Sequence, residues 1–364
     1  MRSANKISTF MDFTILLMIF LQMNSAIATT WMPLRYAPQT DLVDVPFYVG
    51  MTLSPSRCPE NVSANKLNST YGRAELLRLK LLGVKAIALE IPYYMEDLNR
   101  TEIQFEDGAF GVTESRQSLI EIATLIRTMG ISVIFKPIIL TNNGQSIYAI
   151  SASQSWLNSF EMFINYTAKL AQEMNASILF ITGPIDALER NEPFMRRIIA
   201  NIRLGYSGNI TYTSSHTSFS LIRFWDALDF IAINAWMPFT TKYNPEIEVY
   251  IETWNGFYPQ LLQAYNKWKR PIIFSELGLQ SREGANISPK NMTFSKDGSV
   301  KFSWVEQSRY YRAINQTKIW SAAWFKGTFF VGWDLAQGNL FVGEDTSFSI
   351  RDKPAENDLK MLYN

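Results

Sequence analysis

One cysteine, Cys58, and one histidine, His216, occur among 364 residues. A lone cysteine excludes an intramolecular disulfide and a thiolate metal site, and a lone histidine excludes a histidine-rich one. A Ser-His-Asp triad would have to use His216, and no G-x-S-x-G elbow accompanies it. Charge of one sign is also lacking: 34 Lys and Arg stand against 33 Asp and Glu, for a net charge of +1. The basic residues are scattered, which leaves no electrostatic footprint for nucleic acid or an anionic membrane. Neither G-x-G-x-x-G nor G-x-x-x-x-G-K follows an apolar run, which argues against a nucleotide-binding sheet. No metal and no cofactor is expected.

At the N-terminus Arg2 and Lys6 precede the apolar run Phe13–Leu21, and then come Ala26-Ile27-Ala28. That order reads as a secretory signal peptide over residues 1–28, cleaved after Ala28, with a retained anchor as the alternative. Residues 29–364 then form one domain, and no further segment approaches the length of a membrane span. Nine N-x-S/T sequons, at Asn61, Asn68, Asn99, Asn165, Asn175, Asn209, Asn286, Asn291 and Asn315, point to an N-glycosylated secretory protein.

With 47% hydrophobic residues the chain can fill a large core. Short apolar runs alternate with longer amphipathic stretches. Strands are expected at Phe47–Leu53, Val84–Tyr93, Ser132–Leu140, Ile178–Ile185, Ile210–Ser214, Phe230–Trp236, Ile272–Leu279 and Thr328–Leu335. Helices are expected at Arg73–Leu82, Glu114–Met129, Trp156–Met174, Phe194–Gly205, Phe219–Leu228, Glu248–Trp268 and Trp304–Phe325, with Thr113 capping the second and Gly83 and Gly130 terminating the first and second. Near-continuous Ile, Val and Phe runs suit strands covered on both faces. Eight such units in succession favour an α/β fold of the single (β/α)₈ TIM-barrel type over an open doubly wound sheet.

In such a barrel the functional groups gather where strands end. Here those ends carry Glu90 and Tyr93, Lys136, Asp186, His216, Asn234 and Trp236, Glu276, and Trp333. Aromatic rings beside amide, ammonium and carboxylate groups suit sugars, whose C–H faces stack while their hydroxyls hydrogen-bond. Tyr93, Lys136, Asn234, Trp236 and Trp333 are therefore candidate substrate-binding residues. Glu276, at the end of Pro271-Ile272-Ile273-Phe274-Ser275-Glu276, is the candidate catalytic carboxylate. The plain alternatives are packing for each aromatic, a snorkelling Lys136, and a loop position for His216.

The stretches Ile91-Pro92-Tyr93-Tyr94, Phe135-Lys136-Pro137, Leu179-Phe180-Ile181-Thr182-Gly183, Phe230-Ile231-Ala232-Ile233-Asn234-Ala235-Trp236 and Phe274-Ser275-Glu276-Leu277-Gly278 resemble, in order and spacing, glycoside hydrolase family 113. That resemblance implies a retaining β-mannanase-like TIM barrel with Glu276 at the nucleophile position. It also implies a Glu two residues after the glycine of strand four as the acid/base, yet Ile185 stands there. Ile138 replaces the histidine that follows Lys-Pro, and Asn234 replaces an acidic residue.

Two readings follow. One is a secreted glycosidase acting on a β-linked, mannan-like polysaccharide, with Glu276 as nucleophile and Asp186 as replacement acid some 5 Å away. The other is a catalytically inactive pseudo-glycosidase that binds carbohydrate or protein at the same mouth. A third class, an interaction protein without a sugar site, requires the mouth to be filled by side chains or by the polar insert Ser281–Lys301.

Overall fold

Every strand of the computed structural model pairs in parallel, in one sheet. Residues 44–54, 67–107, 114–290, 300–335 and 345–363 are described. The segment 1–28, Cys58, Thr113, Asn61 and Asn291 lie outside them, as does part of the insert Ser281–Lys301.

The strands are β1 (Tyr48–Ser54), β2 (Ala86–Met95), β3 (Ser132–Thr141), β4 (Ile178–Phe180), β5 (Asn209–Thr211), β6 (Thr213–Ser215), β7 (Ile231–Asn234), β8 (Ile272–Leu277) and β9 (Phe325–Asp334). Their order is β5-β4-β3-β2-β1-β9-β8-β7-β6. β5 and β6 are two halves of one passage of chain, parted at Tyr212, so the two ends of that order are joined. The result is the eight-stranded barrel expected from the sequence.

Helices α1 (Thr70–Leu82), α2 (Arg116–Thr128), α3 (Gln154–Glu173), α4 (Asp186–Glu189), α5 (Glu192–Gly205), α6 (Ile247–Trp268), α7 (Trp304–Ile314) and α8 (Pro354–Tyr363) lie between and after the strands. Their ends follow local chemistry. Ser69, Ser115 and Ser153 each accept a backbone N–H at the start of α1, α2 and α3, and Asn191 does so for α5. Ser115 takes the capping role expected of Thr113. Gly83, at φ 103°, closes α1 by donating to the carbonyls of Leu79 and Lys80.

Two expected helices differ. The stretch Phe219–Leu228 contains only two short 3₁₀ turns, Phe219–Leu221 and Trp225–Ala227. The buried Trp225 indole donates to the Phe219 carbonyl, and Arg196 holds Asp226, so the segment is pinned by side chains rather than by a helical ladder. The helix beginning at Trp304 stops at Ile314 instead of Phe325, because the Thr317 hydroxyl takes the Ile314 carbonyl.

Burial separates two apolar layers. Residues such as Ala86, Ala88, Ile134, Ile178, Phe180, Phe230, Ala232, Ile273 and Phe329 form one cluster, the filled barrel interior. Their strand neighbours, for instance Ile87, Leu89, Val133, Phe135, Ile231 and Ile272, belong to the larger cluster between sheet and helices. The period of two thereby assigns a face to each residue. Trp254 of α6 stacks on Phe274 at 5.4 Å, tying the helix layer to β8. Burial of each such ring is worth ~1.5–3 kcal/mol.

Candidate functional site

Above the interior layer the same inward rows turn polar. On β2 the row Ala86, Ala88 continues to Glu90; on β3, Ile134 continues to Lys136; on β7, Ala232 continues to Asn234. Glu90 and Lys136 are direct partners in the β2–β3 register. On β8 strict alternation from Ile273 would send Ser275 inward and Glu276 outward. The register instead skips from Ile233↔Phe274 to Asn234↔Glu276, a bulge with one extra residue. That bulge re-aims Glu276 into the barrel.

At the centre, Lys136 Nζ donates to Glu276 Oε1 at 2.6 Å and to Glu90 Oε2 at 3.0 Å. The Ser54 hydroxyl donates to Glu90 Oε1 at 3.1 Å, and the Trp236 indole N–H donates to Glu276 Oε2 at 2.9 Å. Both oxygens of Glu276 thus accept from fixed donors, while the side chain keeps 20% exposure toward the cavity. The Lys136 side chain is 1% exposed. Burial works to lower its pKa, but the facing carboxylates of Glu276 and Glu90 outweigh this and raise it to about 12. Lys136 is a fixed cation and a poor proton donor at neutral pH. Beside it, the Ser275 hydroxyl donates to Asn234 Oδ1 at 2.8 Å.

These groups floor an open cavity of about 600 Å³, within the range of small-ligand sites. Its walls include Thr52, Ile138, Thr182, Tyr148, Trp333 and Phe348. Among its described lining residues the carboxylates are Glu90 and Glu276.

The sequence-derived residues separate into those the cavity gathers and those it does not. Lys136 contacts the cavity's two carboxylates, and Asn234, Trp236, Trp333 and Glu276 line its wall. The indole N–H of Trp333 is turned away to Glu75 Oε2 at 2.9 Å, and Arg78 lies over its ring. Tyr93 is not brought in. It falls on the outward row of β2 and packs edge-on against Phe163 and Tyr166 of α3, 1% exposed. Burial pushes its phenol well above the ordinary range.

Asp186 does not line the cavity either. It opens α4 with its carboxyl 65% exposed, 3.9 Å from Arg190 one turn on. Ile185 is fully buried in the outer apolar cluster, and its backbone N–H donates to the Tyr212 hydroxyl at 2.9 Å. Glu189 accepts from Ser214 Oγ at 2.9 Å outside the lining, its pKa raised by burial. His216 follows β6, half-buried and outside the lining, with its pKa lowered by burial. Ser54, Thr52, Thr182, Tyr148 and Phe348 were missed from sequence. Of these, Thr52, Ser54 and Thr182 carried a signal, as polar residues on the inward rows of the first and fourth strands.

Among the described residues no group of three or more His, Cys, Asp or Glu could hold a metal ion. No helix among them is long and apolar enough to cross a membrane.

A carboxylate delivered to the C-terminal mouth of a (β/α)₈ barrel, between an ammonium and an indole, stands where this fold carries its functional groups. The model of Glycoside Hydrolase Family 113 matches residues 61–353, and the chain belongs to that family. Among solved structures the chain is similar to the β-mannanase of that family from Alicyclobacillus acidocaldarius. That match has 23% identity and a TM-score of 0.75, covering 89% of this chain and 99% of the other. A second β-1,4-mannanase of the family, in a complex, matches at 21% identity and TM-score 0.74, over 87% and 99% of the two chains. A family 5 mannosidase from Rhizomucor miehei shares the fold at 11% identity and TM-score 0.56, over 87% and 92%. No curated protein matches the chain.

Proposed function

We propose that this chain is a secreted, N-glycosylated member of its family that binds β-linked, mannan-like carbohydrate in the barrel mouth and lacks ordinary retaining hydrolysis. One observation carries the second half: among the described residues, the only carboxyl near Glu276 is Glu90, which is held to the same Lys136 ammonium and so is no free proton donor. Retaining hydrolysis of an unactivated glycoside needs a second carboxyl to protonate the leaving oxygen. The position that the family resemblance assigns to that group is Ile185, buried among apolar side chains. Asp186, the candidate replacement, faces solvent and Arg190. Glu90 accepts from Lys136 and Ser54, and Lys136 is a fixed cation. Loss of the acid/base removes about 10²–10⁴-fold in rate.

The cavity supports sugar binding. The rings of Trp236 and Phe348 line it beside Asn234, Thr52 and Thr182, and among the described residues no side chain fills the volume. Secretion rests on the N-terminal apolar run and on exposed sequon asparagines such as Asn99, Asn165, Asn175 and Asn315.

A second reading has its own support in Glu276, which is exposed to the cavity and aligned by two donors. In that reading it still attacks glycosides whose leaving group needs no protonation. Calorimetry with β-1,4-mannotetraose, paired with turnover of an activated aryl β-mannoside, separates the two. Binding without turnover is the expected result. Turnover that vanishes in Glu276→Gln would establish residual glycosidase chemistry, and absence of binding would end the carbohydrate reading.

A further inference from the structure

Tyr148 and Lys290 come from opposite sides of the ring. Tyr148 belongs to the 3₁₀ turn Ile147–Ala149 after β3, and Lys290 to the segment after β8. Counting β5 and β6 as one strand, β3 and β8 stand four places apart in an eight-membered ring, diametrically across the mouth. Yet Lys290 Nζ sits 4.6 Å from the centre of the Tyr148 ring. Tyr148 itself lines the cavity. Contact between loops from opposite strands, through a residue of the cavity wall, has to pass over the mouth.

The position of the bridge follows from its neighbours. Its Tyr148 end packs beside α4, which follows β4, and Lys290 is close enough to His216, after β6, to help depress the imidazole's pKa, although burial contributes more. The crossing therefore covers the sector of β4 to β6. Among the described residues, the cavity wall on the side of β1, β2 and β9, from Thr52 and Ser54 to Trp333, lies outside that sector.

A polysaccharide bound by its interior must enter on one side of a cleft and leave on the other. We infer that the Tyr148–Lys290 bridge blocks one of those sides, so that this site takes short β-linked oligosaccharides or chain ends and excludes chain interiors. The inference rests on the carbohydrate-binding reading above and names its substrate class. The cation–π contact makes the block a matter of two side chains rather than of backbone alone. Neither chain neighbour is needed for the floor of the site, where Glu276, Lys136 and Trp236 hold one another.

The test compares the wild type with Lys290→Ala and Lys290→Arg, in calorimetry with mannotriose and in co-sedimentation with short- and long-chain mannan at equal mass. In the wild type, binding to mannan is expected to follow the number of chain ends; mannotriose binding with no retention on either mannan identifies free oligosaccharide as the ligand. Lys290→Ala is expected to raise retention on long-chain mannan roughly two- to fivefold, the order of one exposed cation–π contact, with mannotriose affinity unchanged. Lys290→Arg keeps a cation over the ring and should behave as the wild type. Wild-type binding that follows polymer mass, or an alanine variant identical to the wild type on long-chain mannan, overturns the bridge alone. No binding of any of the three ligands overturns the carbohydrate reading and the bridge with it.

Discussion

Asn234 on β7 pairs with Glu276 on β8, one residue out of step with the preceding pair Ile233 and Phe274. Ser275 is the extra residue, and its hydroxyl fastens to Asn234 Oδ1 at 2.8 Å. The site's central carboxylate thus reaches the cavity through a local irregularity that a buried hydroxyl holds in place.

Ser275→Ala should leave Asn234 Oδ1 buried without that donor. A loss of about 1–3 kcal/mol in urea unfolding is expected, together with weaker ligand binding as Glu276 loses its fixed aim. Unchanged stability and binding would mean that the bulge is held by the backbone alone.

Lys136 neutralises two carboxylates that the fold places in one low-dielectric pocket. Lys136→Met keeps most of the volume but leaves Glu90 and Glu276 facing each other, and a loss of about 3–5 kcal/mol is expected. Pairing it with Glu90→Gln should recover part of that loss, which a double-mutant cycle would read as coupling. For the wild type the sign is fixed by the raised pKa. The ammonium's contribution is complete below the unfolded value of 10.5 and is lost as pH rises through about 12.

His216 has the opposite sign. Burial holds its pKa below 6.5 and nearby Lys290 adds to this, while a hydrogen bond to the Asn234 main chain opposes both. The unfolded chain takes up the proton more readily, so the contribution of neutral His216 is complete above pH 6.5 and declines as pH falls below it. The urea midpoint should therefore drop further between about pH 7.5 and 5.5 in the wild type than in His216→Gln. Equal drops would remove His216 as the source.

Asn286 corrects one expected glycosylation site. Its side chain is fully buried, and its amide donates to Glu306 Oε2 at 2.8 Å and to the Lys242 carbonyl at 3.1 Å. Glu306 also accepts from the backbone N–H groups of Asn244 and Gly284, so this asparagine belongs to a buried cradle. Peptide mapping of protein from a eukaryotic secretory host should find Asn286 bare while Asn99, Asn165, Asn175 and Asn315 carry glycan. Asn286→Asp should cost about 1–3 kcal/mol by setting a second carboxylate against Glu306.

The sequence by itself determined the barrel, because strand and helix periodicities are local and each of the eight repeats carries its own apolar run, several of them with a capping residue such as Ser69, Ser115, Ser153 or Asn191. It also determined the rows of Glu90, Lys136 and Asn234, since strict alternation from Ala88, Ile134 and Ala232 points them inward. Tyr93 could have been excluded on the same count, being one step out of phase with Pro92 and three from Glu90. Tertiary structure alone decided where alternation breaks. The bulge at Ser275 turns Glu276 in, and the chain leaving β4 turns Ile185 into the outer core and Asp186 into solvent. Only the closed ring could bring Tyr148 to Lys290. Side-chain direction at a strand end depends on register with the neighbouring strand, and register is a property of the assembled sheet.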